Sequence, residues 1–251
     1  MGVMVYRQLK RFTRARSRVI GSIFNPLIWM VFFGLGWSGL FTSSMAKLLF
    51  RGLDYMSFLA PGMVMMAIFT ASLFSGMSVI WDREFGFLKE LLVAPASRTA
   101  IILGRSIGDA LTALAQGVVI LAASFLLAKQ LTPTGIPLAV AIGLLAAIAF
   151  TSMGIALAST MRSFEGFNLI TTFLMLPLLF LSGAFYPIDS LPLWLKALVY
   201  LNPLTYAVDA TRYALTGVSS FNILHSTAAL ALSAVILTLA ATYTFKKSTI
   251  E

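Results

Sequence analysis

A short charged segment between two long apolar runs holds the residues best suited to polar chemistry. The segment WDREFGFLKELLVAP begins at residue 81, and five charged residues fall within nine positions: Asp82, Arg83, Glu84, Lys89 and Glu90. The charges have both signs, which is not typical of a basic patch for lipid headgroups. Apolar residues between them give the segment a second, apolar face, which is typical of a helix that docks on a partner protein. A solvated loop that only terminates the preceding apolar run is the alternative.

Several kinds of catalytic and metal chemistry are excluded by residue type. The chain has no cysteine, which excludes thiolate metal sites and cysteine nucleophiles. Its single histidine, His225, excludes the two-histidine zinc-protease motif. The sequence contains no G-x-x-x-x-G-K-[ST] phosphate-binding loop and no G-x-S-x-G nucleophile elbow. We therefore expect no catalytic residue, no metal site and no cofactor site in this chain, and we expect it not to be an enzyme by itself.

The elements that carry the charged segment are membrane-spanning helices. Of the 251 residues, 59% are hydrophobic and only 11% are charged, whereas a soluble domain has about 25% charged residues. Several apolar runs are long enough to cross a hydrocarbon core of roughly 30 Å. The composition predicts an all-α polytopic membrane protein, with one transmembrane domain over 1–251.

The apolar runs predict six transmembrane spans, joined by short polar segments. The spans are predicted at 19–41, 56–80, 106–128, 138–161, 169–186 and 226–245. Residues 1–18 predict an amphipathic helix on the membrane surface, with basic residues at Arg7, Lys10, Arg11 and Arg14. Residues 187–217 are punctuated by proline and predict two helices, at about 192–201 and 204–216, too short to cross the bilayer and therefore re-entrant or interfacial.

The basic residues predict the orientation of these spans. With the N-terminus inside, thirteen of the eighteen lysines and arginines fall on the inner side, and basic residues favour the cytoplasmic side. We therefore expect both termini and the charged segment in the cytoplasm, and the short helices of 187–217 outside. The net charge of +9 is explained by this bias, so no nucleic-acid partner is expected. The predicted location is the cell (plasma or inner) membrane.

Two stretches resemble the permeases of the ABC-2 family of ABC transporters. DREFGFLKELLVAPASR, after span 2, resembles the cytoplasmic coupling segment of that family. LPLLFLSGAFYPIDSLPLWLKALVYLNPLTYAVDATRYALTG, residues 176–217, resembles its fifth span and outer half-helices, most closely those of the drug-resistance branch. The resemblance implies a permease that exports an amphiphilic, lipid-linked or drug-like substrate.

The same resemblance implies partners and a docking site. A separate ATPase subunit would hold the ATP and magnesium, a second permease copy would complete the pathway as a homodimer, and membrane lipids would surround both. The ATPase would dock on the N-terminal helix and on a coupling helix at 82–94. The coupling role falls on Asp82, Arg83, Glu84, Phe85, Gly86, Leu88 and Glu90. The loop 162–168 matches the family's second cytoplasmic contact in position and brevity.

Other polar residues have two interpretations each. Thr70, Ser75, Thr171 and Thr172 either pack helices together or line the pathway. The outer region holds Pro187, Asp189, Asn202, Pro203, Asp209 and Arg212. They form either an outer gate or a membrane-surface anchor. Asp209 and Arg212 are spaced to pair on one helix, and Asp109 is expected to pair with Arg105.

Two further function classes compete with the permease. An intramembrane lipid-modifying enzyme would require an acidic or histidine cluster, and only scattered residues of these types occur. A secondary transporter or channel would require ionisable groups at mid-membrane, and the predicted spans hold almost none.

Overall fold

The computed structural model describes residues 2–14, 16–39, 48–86, 98–161 and 163–248, and the regular structure in these ranges is helical. The predicted all-α class is therefore confirmed. The α-helices are α1 (Gly2–Arg14), α2 (Arg16–Ser38), α3 (Tyr55–Ser75), α4 (Met77–Glu84), α5 (Arg98–Leu127), α6 (Ile136–Thr160), α7 (Phe164–Phe180), α8 (Leu193–Leu201), α9 (Pro203–Thr216) and α10 (Ile223–Ser248). Short 3-10 turns occupy Pro133–Gly135 and Ile188–Ser190.

Four helical segments are long and apolar enough to cross a membrane. They are Tyr55–Glu84, Thr99–Leu127, Pro133–Thr160 and Ile223–Lys247. Two further apolar helices, Ile23–Ser38 and Phe164–Phe180, are shorter. The chain is thus a multi-pass membrane protein, and the crossing of α2 and α7 that would make six spans stays a prediction.

Helix α3 forms the centre of the bundle. It packs against α2, α5, α6 and α9, and seventeen of its residues are buried. An apolar residue on every face is the pattern of a helix enclosed on all sides. Its first turn is capped by Asp54, whose carboxylate accepts hydrogen bonds from the Ser57 amide and hydroxyl. Of the four long apolar helical segments in the described residues, the one that carries the charged segment is the most enclosed.

Glycine pairs allow the helices around α3 and α4 to touch through their backbones. A Cβ at Gly76, between α3 and α4, would collide with the carbonyl group of Gly154 in α6. A Cβ at Gly154 would in turn collide with the carbonyl oxygen of Leu73. Gly108 of α5 gives the same freedom to α1, since a Cβ there would lie 2.9 Å from the Cβ of Gln8. Backbone packs directly on backbone at the start of α4. A displacement there would therefore be passed to α6 rather than absorbed by side chains.

Helix α1 and the end of α10 lie at the same end of the bundle, which we call the basal end. It is defined by an apolar cluster that includes Met77, Ile80, Ile102, Phe167 and Phe245. At the opposite, apical end, the Thr132 amide donates to the Leu215 carbonyl, and the short helices α8 and α9 follow the turn at Ile188–Ser190.

The described part of the charged segment belongs to α4. Asp82, Arg83 and Glu84 form its last turn, Phe85 is its C-cap, and Gly86 has a positive φ of 74°, a backbone conformation that favours glycine. Residues 87–97, including Leu88 and Glu90, lie outside the described residues. A coupling helix over 82–94 therefore stays a prediction, but its first residues are continuous with span 2.

Candidate functional site

Asp82 is the centre of a buried ionic junction at the basal end. Its carboxylate lies 3.0 Å from Nη2 of Arg7 on α1 and 2.7 Å from Nη1 of Arg105 on α5. Asp82 is only 5% exposed and Arg105 only 1% exposed. A carboxylate so enclosed is held by its cations because an unpaired charge there would be very costly. Asp82 therefore fixes α4 to α1 and α5.

Arg105 continues the junction along α5. Its Nη2 donates to the Ser78 hydroxyl at 2.6 Å, and its Nε lies 3.9 Å from Oδ2 of Asp109 one turn later. The predicted Arg105–Asp109 pair is thus present, but it is the longer contact, and the principal anion for Arg105 is Asp82. One sequence signal points to the Asp82–Arg105 pair. Both are isolated charges near the ends of apolar helices, and such charges need a partner of opposite sign when they are buried.

Arg83 joins α4 to the end of α6. Its guanidinium donates to the carbonyl oxygens of Met161 at 2.9 Å and Ser159 at 3.3 Å. These carbonyls belong to the last turn of α6, whose final carbonyls have no partner within the helix. Arg83 therefore acts as a C-terminal cap supplied by a neighbouring helix.

Trp81 joins α4 to the start of α7 and to α1. Its ring stacks on Phe164 with centroids 6.1 Å apart and planes 8° apart, and the Arg11 guanidinium lies 5.3 Å from its centroid. Phe164 lies within the segment predicted as a loop at 162–168, of which residue 162 lies outside the described residues. From Phe164 onward this segment is the first part of α7, with Ser163 as its N-cap. Three consecutive residues of α4, Trp81 to Arg83, together with Ser78, thus reach four other helices or their ends.

The next residues of α4 point away from this junction. Glu84 is exposed and Phe85 is 83% exposed. Within the described ranges Glu84 has no ion pair. A large apolar side chain beside a free carboxylate, at the end of a helix held by buried ion pairs, is suited to contact a partner. We call Glu84, Phe85 and Gly86 the tip.

The basic residues of α1 divide into two sets. Arg7 and Arg11 turn toward the junction, whereas Lys10 and Arg14 are exposed. The Lys10 ammonium lies 5.4 Å from the ring centroid of Tyr6 on the same helix. The predicted docking helix therefore uses half of its candidate residues to hold the bundle together.

The predicted pathway residues are not brought together. Thr70 and Ser75 line a cavity of about 640 Å³ beside the junction. Thr171 is fully buried in α7 and Thr172 is exposed, and neither lines that cavity.

The predicted outer residues serve mainly to build the apical end. Asn202 caps α9 by accepting from the Leu204 amide, and its side-chain amide donates to the Leu178 carbonyl. Pro203 is the first residue of α9 and Pro187 precedes the turn at Ile188–Ser190. Exposed Asp189 pairs with Arg51 at 2.7 Å.

The Asp209–Arg212 pair that the spacing allows is not among the ion pairs of the described residues. Asp209 accepts hydrogen bonds from the Ser220 amide at 2.6 Å and the Ser226 hydroxyl at 2.9 Å. Arg212 instead donates to the carbonyls of Phe58 and Gly183 and lies 3.8 Å from the Phe58 ring centroid. Both side chains are buried. Buried backbone amides and carbonyls need hydrogen-bond partners, and Asp209 and Arg212 supply these instead of pairing with each other. An interpretation as a membrane-surface anchor does not fit this burial.

The described residues contain no group of three histidines or carboxylates that could hold a metal ion. Their polar residues gather instead at the junction and at the apical end, where hydrogen bonds and ion pairs hold helices together. The arrangement is that of a helical bundle joined by buried polar contacts, with an exposed tip.

Comparison with known proteins shows the family of the chain. The family model for the ABC-2 type transporter matches residues 1–216. The chain is 33% identical over 222 residues to a transport permease named ycf38 from Pyropia yezoensis, covering 86% of this chain and 74% of that protein. It is 27% identical to the inner membrane transport permease YadH of Escherichia coli K12, covering 85% and 81%. It is 28% identical to nodulation protein J of Rhizobium leguminosarum bv. trifolii, covering 81% and 76%. The resemblance drawn from the two motifs is thereby confirmed: the chain belongs to the ABC-2 type transporter family and is a transmembrane permease.

Proposed function

We propose that this chain is the transmembrane subunit of an ATP-driven exporter whose ATP is hydrolysed by a separate ATPase subunit. The substrate class is amphiphilic, either lipid-linked or drug-like, and it moves from the cytoplasm or the inner leaflet to the outside. A second copy of the chain completes the pathway. The basal end faces the cytoplasm, with both termini.

The observation that carries the proposal is the combination of an exposed tip with a buried anchor on the same short helix. Phe85 offers apolar contact area and Glu84 offers a charge, while Asp82, two residues earlier, ties α4 to α1 and α5. A force on the tip would be passed on through ion pairs and backbone contacts rather than lost in a flexible loop. A partner that closes when it binds ATP would therefore tilt α3–α4 and α5 together.

Ion coupling has less support than ATP coupling. The ionisable residues buried in the described ranges are Asp82, Arg105, Asp109, Asp209 and Arg212. They lie near the two ends of the bundle. At the basal end Asp82 and Asp109 form ion pairs with Arg105. At the apical end Asp209 accepts and Arg212 donates hydrogen bonds. A proton or ion relay would require such groups along the middle of the spans.

An aromatic surface on α2 is the place we assign to the second copy. Trp29, Phe33 and Trp37 form a ladder of ring contacts along α2, with centroids 5.2 and 4.9 Å apart. Phe185 packs on this ladder 5.4 Å from Phe33, and Phe32 beside it is 72% exposed. A wall of rings facing another such wall would suit an apolar or amphiphilic cargo.

The experiment is co-purification of the chain with candidate ABC ATPases from its own host. The wild-type chain should retain one ATPase, and Glu84→Lys should retain much less, because a charge reversal adds repulsion to a lost contact. Lys129→Glu is the matched control, since Lys129 is equally exposed but lies near the apical end. Equal recovery of the ATPase by wild type and Glu84→Lys, with both at normal membrane levels, would contradict the proposal.

A further inference from the structure

A cavity of about 640 Å³ lies within the single chain, between α1, α2, α3–α4 and α5. Its volume is in the range of small-molecule and lipid-headgroup sites. The cavity has polar side chains from all four elements, among them Gln8, Asn25, Thr70 and Gln116. In a chain with 11% charged residues, such convergence of polar groups on one space needs an explanation.

One face of α5 supplies a polar stripe to the cavity. Asp109, Thr112 and Gln116 follow one another at three- and four-residue spacing and all line it, as one helical face requires. The lining also contains apolar and aromatic side chains, with Phe12, Phe74 and Trp81 among them. The cavity is therefore amphiphilic.

Several of these polar groups lack a hydrogen-bond partner among the described residues. Gln8 Nε2, Asp109 Oδ2 and Gln116 Oε1 are buried atoms with no hydrogen-bond partner among the described residues. The three residues are 3%, 7% and 7% exposed. Buried polar groups are nearly always hydrogen-bonded. The terminal amide and carboxylate groups rotate at little cost, so these atoms can turn toward a ligand. A ligand in the cavity would supply the missing donors and acceptors.

The charges of the cavity specify the ligand further. Asp109 on α5 is an acceptor for a cationic group, and Arg11 on α1 is a donor for an anionic one. Beside them the polar stripe offers an amide and a hydroxyl. A headgroup that carries both an ammonium and a phosphate matches this pair, whereas a purely anionic headgroup would face repulsion from Asp109, whose contact with Arg105 is a long one of 3.9 Å.

The position of the cavity fits a lipid. Helix α1 is amphipathic and exposes Val3 and Tyr6, as a helix at the membrane surface does. The cavity lies between this helix and the bundle, and Gly21 and Asn25 of α2 on its rim are exposed. We propose that the cavity is a binding site, within one chain, for a phospholipid with an aminophosphate headgroup. The site requires neither the ATPase nor a second copy.

Trp81 provides a direct probe, because it lines the cavity. The chain has four tryptophans, and Trp29→Phe, Trp37→Phe and Trp194→Phe together leave Trp81 as the sole fluorophore. This variant is reconstituted in unlabelled phosphatidylglycerol, and small fractions of dibrominated phosphatidylethanolamine or dibrominated phosphatidylglycerol are added. Bromine quenches tryptophan at contact, so quenching reports which lipid occupies the cavity.

We expect saturable quenching by brominated phosphatidylethanolamine at fractions where brominated phosphatidylglycerol quenches only as a bulk lipid. Asp109→Asn should weaken the preference by about tenfold, the size of one charge-assisted hydrogen bond. Gln116→Met removes an unpartnered acceptor without altering the ionic junction, and should weaken it less. Asp189→Asn at the apical end is the control and should not change it. Equal quenching by both lipids, or an unchanged preference in both Asp109→Asn and Gln116→Met, would overturn the proposal.

Discussion

Replacing Asp82 by alanine should be among the most damaging single changes at the basal end. The change removes the carboxylate that pairs with Arg105 at 2.7 Å and Arg7 at 3.0 Å. Arg105 is 1% exposed, so its charge cannot be rehydrated, and its remaining anion, Asp109, lies 3.9 Å away. Breaking a buried pair from one side costs about 3–5 kcal/mol. For a chain of this length that corresponds to a loss of roughly 6–20 °C in Tm.

Two companion variants separate the buried pair from the half-exposed one. Arg7→Ala leaves Asp82 paired with Arg105, and the Arg7 side chain is 29% exposed, so a loss of only about 1 kcal/mol is expected. Asp82→Leu combined with Arg105→Met should recover much of the stability, because apolar residues of similar size replace a buried pair at little cost.

The assay is thermal unfolding of the detergent-solubilised protein, followed by fluorescence-detected size exclusion after heating. The expected order of stability is wild type, then Arg7→Ala, then Asp82→Ala, with the double variant above Asp82→Ala. A Tm of Asp82→Ala equal to that of wild type would refute the reasoning, since it would mean that Asp82 is solvated and not an anchor.

Three further predictions concern other parts of the chain. Arg83→Gln should lower stability by about 1–2 kcal/mol, because charged donors to the last carbonyls of α6 are lost; unchanged melting would contradict the cap. Asn202→Ala should cost about 1–2 kcal/mol through the lost N-cap of α9, whereas Asn202→Asp should retain the cap and melt higher than Asn202→Ala. Single cysteines at Thr132 and Ser190 should react with an impermeant thiol reagent in intact cells, and one at Ser163 should not; labelling of Ser163 would overturn the proposed orientation.

Much of the architecture could be predicted from the sequence because it follows from length and hydropathy. The short helices Leu193–Leu201 and Pro203–Thr216 lie within a residue of their predicted limits, since proline and glycine mark their ends in the sequence. The family could be predicted from two motifs and is confirmed. The order of the helices along the chain also follows from the sequence. The crossing of the membrane by α2 and α7 stays a prediction.

The roles of the charged residues could not be predicted from the sequence alone. Asp82 and Glu84 are two positions apart and look alike in the sequence, but one is buried and the other exposed. The difference arises from Arg105, which reaches Asp82 only after α5 packs beside α4. The spacing of Asp209 and Arg212 allows a pair on one helix, but Arg212 donates instead to the carbonyls of Phe58 and Gly183, which come from distant parts of the chain. Long-range packing, rather than local spacing, assigns partners to buried charges.

The central claim, that the tip of α4 is where a separate ATPase docks, is tested most directly by site-specific photo-crosslinking in cells. A benzoylphenylalanine replaces Phe85, which is 83% exposed, and the same replacement at Tyr243, which is 70% exposed on α10, serves as the control. We expect the Phe85 probe to capture a protein with a P-loop and an ABC signature, and the Tyr243 probe to capture none. Capture of lipid or detergent alone at Phe85, or equal capture of the ATPase at both positions, would contradict it.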